Sequence, residues 1–318
     1  MGATHSKPGS ALKGRSLMRK RNQKQTDQCV VCANSNLEPL FFGYSRHNPR
    51  LFHRVAVCRD CGHIQLYPLF REDEYAIIND RFFEKQYMVG DHENVENNSK
   101  KLRKMDERLS LYLRDGLNIL DVGAGEAWTM EYFQQKNCNY FAIEAVDRLA
   151  SLIHERGGKV IGKSIFDNYS KYESRFDIII FRHVLEHLLN PTKALLALRN
   201  LLNTDGLIYL ALPNASNPSI HKGFRTSFVR PVHVSYFCEG NVLRLAHSVG
   251  LDSTHSESIG EIFCLLKHGS NEDFENENYY MKQKEVFLMK GKQALIKDFV
   301  KIIRDLPKAL ARRLLHEA

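Results

Sequence analysis

The chain has 318 residues, 43% of them hydrophobic and 26% charged, with a formal net charge of +8 at pH 7. This is enough apolar material for one packed main domain with appendages, and no apolar run approaches the roughly 20 residues of a membrane span. Residues 1–24 hold seven Lys or Arg and no acid. They account for +7 of the +8, so the rest of the chain is nearly balanced and does not read as a basic, nucleic-acid-binding body.

Residues 1–27 read as a disordered basic tail, rich in Gly, Ser and Lys. The tail either touches an anionic partner or does nothing, and the second is favoured. Met1-Gly2-Ala-Thr-His-Ser6 formally fits a myristoylation pattern, and no stretch reads as a signal peptide. Residues 28–68 carry two Cys-x-x-Cys pairs, Cys29/Cys32 and Cys58/Cys61, across a strand-rich spacer. Two such knuckles place four thiolates around one structural zinc and leave no open position for catalysis. Bound thiolates imply a reducing compartment, hence the cytoplasm. Cys138, Cys238 and Cys264 lie on or beside apolar elements and read as small core residues. Residues 69–112 read as a helical linker.

Within 113–269 the pattern alternates. Strands are predicted over 119–122, 140–143, 159–165, 176–181, 206–212 and 261–267, and helices over 127–135, 191–202 (stopped by Gly206) and 241–249 (stopped by Gly250). Alternation of this kind implies an α/β, doubly wound sheet with its ligand at the carboxyl ends of the strands. The turn Asp121-Val-Gly123-Ala-Gly125, entering a helix, brings backbone N–H groups close to a ligand. Glu144, about 20 residues on, suits ribose hydroxyls. Asp167 after the third strand either accepts from an adenine amino group, with Phe166 beside the ring, or caps a helix. Residues 270–318 read as C-terminal amphipathic helices. Leu295, Phe299, Ile302, Ile303 and Leu306 stand at helical spacing, with a break near Pro307. Packing on the body or on a second subunit is preferred to binding a membrane surface, and the oligomeric state stays open.

A dinucleotide fingerprint needs a third small residue where Trp128 stands. Asp-x-Gly-x-Gly with a later acid instead resembles the first motif of class I S-adenosylmethionine (SAM)-dependent methyltransferases, over roughly 113–267. The resemblance implies a seven-stranded Rossmann-like methyltransferase sheet. Asp121, Gly123 and Gly125 would shape the methionine pocket, Glu144 would hold the ribose, Phe166 and Asp167 the adenine, and Arg182 would also face the cofactor. The stretch Val57-Cys-Arg-Asp-Cys-Gly-His-Ile-Gln-Leu66 is similar to the zinc module of bacterial sugar C-methyltransferases and related glycan and natural-product enzymes. In those relatives a tyrosine-bearing segment helps cover the active site. Tyr87, in Arg81-Phe-Phe-Glu-Lys-Gln-Tyr87, sits at the matching place and is either a substrate-site residue or a packing aromatic.

Arg182-His-Val-Leu-Glu-His187 follows the fourth predicted strand and should lie beside the sulfonium. Three readings stay open. His187 is a general base oriented by Glu186, as in the sugar C-methyltransferases. Alternatively His183, Glu186, His187 and His233 hold a second divalent metal. That set resembles the one in small-RNA 2′-O-methyltransferases and some ubiquinone-pathway enzymes, although His183 replaces their first glutamate. Or the loop is a structural turn. The reading adopted is SAM-dependent methyl transfer to oxygen or carbon of a sugar, glycan or natural-product intermediate. The alternatives are an RNA methyltransferase gripping with the zinc module and tail, and a catalytically inactive SAM-fold assembly module.

Overall fold

The computed structural model describes residues 27–44, 52–88, 95–218, 224, 228–269 and 277–297. The predicted basic tail up to residue 26 and the C-terminal positions Phe299, Ile302, Ile303, Leu306 and Pro307 lie outside the described residues.

Strands β4 (Asn118–Val122), β5 (Asn139–Ile143), β6 (Lys159–Gly162), β7 (Phe176–Arg182), β8 (Leu202–Pro213), β10 (Leu251–Glu257) and β11 (Glu261–His268) form one sheet in the order β10-β11-β8-β7-β4-β5-β6. Pairs β4·β5, β4·β7, β5·β6 and β7·β8 are parallel, and β11 runs antiparallel to both of its neighbours. The central strands are apolar on both faces because both are covered. Leu120, Val122, Ile179, Phe181, Ile208 and Leu210 enter one core, while Ile119, Ile178, Ile180, Tyr209 and Ala211 enter the other. Helices α3 (Met130–Gln135), α4 (Asp147–Glu155), α5 (Pro191–Leu201) and α6 (Glu239–Ser248) follow strands of this sheet, as doubly wound alternation requires. Helix α5 starts with Asn190, whose Oδ1 accepts from the Lys193 N–H at 2.9 Å, and with Pro191 at the first turn.

Several boundaries differ from the sequence expectation. The helix expected from Ala127 begins at Met130, because Ala127 adopts φ +49° in the turn. Gly206 does not stop α5. Instead it lies inside β8, where a Cβ would come within 2.9 Å of the Phe176 carbonyl oxygen and closer still to Leu202. The strand expected over 159–165 ends at Gly162, and β10 was not expected at all.

A second, four-stranded sheet has the order β1-β2-β3-β9, with β1 (Leu37–Tyr44), β2 (Phe52–Cys58), β3 (Ile64–Leu66) and β9 (Ser235–Tyr236). Three of these strands come from the cysteine-bearing segment, but β9 lies between β8 and α6. Ile64 pairs with Tyr236 and Gln65 with Ser235. Helices α1 (Glu72–Met88) and α2 (Val95–Leu109) follow β3. A C-terminal helix, α7 (residues 280–297), buries Gln283, Phe287 and Ala294. No described helix is long and apolar enough to cross a membrane.

Candidate functional site

The glycine turn ends β4. Gly123 has φ +71°, and a Cβ there would meet Val184 Cγ2 at 2.7 Å, so only glycine fits. Its N–H donates to the Ile143 carbonyl at 2.8 Å, tying the turn to the end of β5. Glu144, the next residue, accepts from the Gly125 N–H on Oε2 and from the Val146 N–H on Oε1, both at 2.8 Å. Burial pushes the Glu144 pKa up against those backbone hydrogen bonds. Asp121 is buried below the turn. Its Oδ2 accepts from Thr129 Oγ1 at 2.6 Å and from the Tyr140 hydroxyl at 2.7 Å, locking β4, β5 and the entry to α3 together. Asp167 accepts from the Lys163 and Ser164 N–H groups, both at 3.0 Å, and so closes the turn after β6. Phe166 is 39% exposed beside it, with Lys193 Nζ 5.2 Å from its ring centroid.

One strand over, β7 ends at Arg182. Its Nη2 donates to Glu261 at 3.1 Å, and its guanidinium lies 5.8 Å from the Trp128 ring centroid. His183 adopts φ +54°, a strained conformation for a non-glycine residue. Its Nδ1 lies 3.3 Å from Glu186 and its Nε2 lies 3.4 Å from Glu261. Burial opposes charge on His183, but the two carboxylates outweigh it and raise the pKa. Glu261 also faces Arg108 and Arg182, and despite burial its pKa is held down to about 2.

Glu186 is 2% exposed, and neither carboxylate oxygen makes a hydrogen bond; the contact to His183 has ion-pair distance without hydrogen-bond geometry. His187 and His233 stand against it, with ring centroids 4.9 Å apart. His187 Nδ1 lies 2.8 Å from the Val232 carbonyl, and His233 Nδ1 lies 3.1 Å from the Phe228 carbonyl. A carbonyl only accepts, so each Nδ1 carries the proton and each neutral ring keeps its lone pair on Nε2. Burial lowers both histidine pKa values and favours these neutral rings. The His187 Nε2 is 4.0 Å from Glu186 Oε1. Ligand atoms of Glu186, His187 and His233 all lie within 4.8 Å of one another. A ring nitrogen of each histidine and the Glu186 carboxylate therefore converge on one point. Of the four residues grouped at sequence level, three meet around one point, and His183 links Glu186 to Glu261. Tyr87 lies on α1, and its side chain is outside the described residues.

The cysteine cluster forms as expected. Cys29 Sγ and Cys61 Sγ are 3.6 Å apart, Cys32 Sγ and Cys58 Sγ 3.5 Å, and all four lie within 4.8 Å. A tetrahedral zinc with Zn–S near 2.3 Å needs S···S separations of about 3.8 Å, so the donor set fits. Contacts with the other thiols push Cys29 and Cys61 up and pull Cys32 and Cys58 down, since four adjacent thiols cannot all ionise without a cation. Gly62 is required here: a Cβ would stand 2.3 Å from the Tyr279 backbone.

Sequence reasoning missed three residues. The Tyr75 hydroxyl, from α1, bridges the His187 and Val232 carbonyls at 2.5 and 2.7 Å. Glu261 joins Arg182 and His183, and Arg230 lies beside the histidines. One tyrosine among the several aromatic residues of α1 gives no signal. An arginine three residues before His233 gives a faint one.

Residues 95–256, about half the chain, match a family described as "Methyltransferase domain". The fold is similar to that of Burkholderia thailandensis 1,6-didemethyltoxoflavin-N1-methyltransferase, solved with 1,6-didemethyltoxoflavin and S-adenosylhomocysteine. The TM-score is 0.52 at 18% identity, over 73% of this chain and 100% of that one. A SAM-dependent methyltransferase from Aquifex aeolicus aligns at TM-score 0.44 and 15% identity, over 57% of this chain and 97% of that one. No curated protein matches. The chain belongs to the methyltransferase-domain family and shares the fold of a methyltransferase solved with S-adenosylhomocysteine.

Proposed function

We propose that the chain transfers the SAM methyl group to an oxygen or carbon of a small-molecule acceptor, a sugar, glycan or natural-product intermediate, beside Glu186, His187 and His233. One observation carries this reading: a buried carboxylate and two neutral imidazoles converge at the carboxyl end of β7, next to the strand that bears the glycine turn. Gly123 and Gly125 allow the donor's close approach. Asp121 holds the turn in shape, Glu144 takes the ribose with its remaining lone pairs, and Phe166 and Asp167 border the adenine. Arg182 holds the Trp128 side of the pocket. Methyl transfer is an in-line displacement, so holding nucleophile, methyl carbon and sulfur collinear is the main task. His187 Nε2 is the basic nitrogen that takes the acceptor proton, and the Glu186 carboxylate stabilises the imidazolium so formed. Tyr87, with the segment around it, covers the acceptor. The segment 28–68 is a zinc module whose ion is structural. The sugar or natural-product class rests on the resemblance of that module.

A second reading is favoured by the hydrogen-bond pattern. Metal-bound histidines typically donate the other ring nitrogen to a carbonyl or carboxylate. Both His187 and His233 do so, and Glu186 has no other hydrogen-bond partner. A divalent ion held by Glu186, His187 and His233 would lower the pKa of an acceptor hydroxyl. Two measurements separate the readings. S-Adenosylhomocysteine should bind the zinc-loaded chain by calorimetry, and absence of binding would remove the donor assignment. Cobalt(II) added to zinc-loaded protein should give a ligand-field band without sulfur charge transfer, lost in Glu186→Gln; no such band would leave His187 as base alone. Turnover unchanged in His187→Ala would retire both chemical roles.

A further inference from the structure

Three arginines stand around the site, and two are paired. Arg108 donates to Tyr209 and Glu257, and Arg182 donates to Glu261. Arg230 differs. No carboxylate among the described residues lies within ion-pair distance of it, and its Nε is buried without a hydrogen-bond partner. The guanidinium lies 5.2 Å from the Phe82 ring centroid. Its position is fixed through its own carbonyl, which accepts from the His233 N–H at 3.0 Å and the Tyr236 hydroxyl at 3.2 Å. Burial works against its charge, and the charge is felt at His187 and His233, where it lowers both pKa values. Phe83 approaches His187 edge-on at 5.7 Å, adding a flat apolar wall.

A half-buried guanidinium with no carboxylate within ion-pair distance among the described residues, and only the Glu186 charge acting on it from further away, has a specific chemical complement. Its planar fork of donors matches the two oxygens of a carboxylate or phosphate. A stacked aromatic ring restrains the fork without neutralising it. We infer that the methyl acceptor carries an oxyanion, carboxylate or phosphate, which Arg230 holds while the acceptor's body lies against Phe83 and its nucleophile faces His187. This selects against neutral acceptors, which would leave the buried Arg230 Nε without a partner. The inference rests on the methyl-transfer reading above and narrows its acceptor class.

The test uses the full zinc-loaded chain saturated with S-adenosylhomocysteine, so that the donor's own carboxylate is already placed. Inorganic phosphate and benzoate are titrated at constant ionic strength against chloride. Binding is followed by calorimetry and by 15N signals of the histidine imidazoles. At least one anion should bind and move the His187 and His233 signals. Arg230→Gln should weaken that binding tenfold or more, with Arg230→Lys in between. Benzoate alone would identify a carboxylate, and phosphate alone a phosphate ester. Failure of both anions to bind, or equal binding to Arg230→Gln, overturns the inference. Lost S-adenosylhomocysteine affinity in a folded Arg230→Gln also overturns it, because Arg230 would then serve the donor. If Arg230→Gln does not fold, Arg230→Lys decides: affinity equal to the unmodified chain rejects the proposal, and reduced affinity supports it. Failure of the unmodified chain to bind S-adenosylhomocysteine would strike the donor assignment instead.

Discussion

The two ligand-type clusters of this molecule are built in opposite ways. In the cysteine cluster all four donors come in pairs from tight turns, are chemically identical, and lie within 4.8 Å of one another, with cross-turn contacts at 3.5 and 3.6 Å. In the other cluster an acid and a histidine adjacent in sequence meet a histidine 46 positions away, and the three donors leave a carboxylate without a hydrogen bond. The first arrangement fits a tetrahedral ion with no open position. The second leaves reactive groups exposed to one another and dependent on a visitor. Closure marks structure, and incompleteness marks chemistry.

The sharpest way to break this contrast is Cys61→Ser. Removing one thiolate from a set of which three members are buried should cost several kcal/mol, because zinc binding in such modules is worth on the order of 10 kcal/mol of folding energy. Zinc content and thermal midpoint should fall together; an unchanged melt would deny the cluster its structural role. Glu186→Gln should do the reverse, leaving the fold and S-adenosylhomocysteine affinity intact while methyl transfer drops roughly 100-fold or more. A variant that unfolds but keeps its turnover per folded molecule would make Glu186 structural. Tyr75→Phe removes the hydroxyl shared by the His187 and Val232 carbonyls and should cost about 1–3 kcal/mol in urea unfolding.

The smallest effect concerns acid. Glu261 titrates near 2 in the fold, against 4.5 ordinarily. A depressed carboxyl pKa stabilises the folded state above about pH 4.5, and that contribution fades as the pH falls towards 2. Glu261→Gln should therefore destabilise the protein most at pH 7, clearly less at pH 3, and little at pH 2. Equal loss at both values would assign the effect to packing.

How much was legible follows from the same contrast. The cysteine pairs, the glycine turn and strands such as Phe176–Arg182 announce themselves through local spacing and apolar runs. Strand β10 reads Leu-Asp-Ser-Thr-His-Ser-Glu, a sheet-edge sequence with little apolar signal, and only pairing with β11 makes it a strand. Gly206 looks like a helix stop, but close packing against Leu202 keeps it in β8. His233 was grouped with His187 only through the resemblance, because its approach to His187 depends on a loop whose path no local rule fixes. Asp167 showed its two possible uses in sequence, and only coordinates reveal the Lys163 and Ser164 amides on its carboxylate. Arg230 and Tyr75 escaped because their meaning lies in partners, one absent and one distant.

Strand β9 has a further consequence. The cysteine-bearing sheet is completed by residues 235–236, Leu66 N–H donates to the Val234 carbonyl at 2.9 Å, and Val234 N–H donates to the Glu186 carbonyl at 2.8 Å. The front end is thus spliced into the sequence interval that carries His233, and neither piece is a detachable cassette. Grafting the first 68 residues onto another scaffold would leave β3 an open edge prone to self-association. Swapping the catalytic body would demand a new companion strand. Lineages sharing this architecture should therefore exchange both pieces together or not at all.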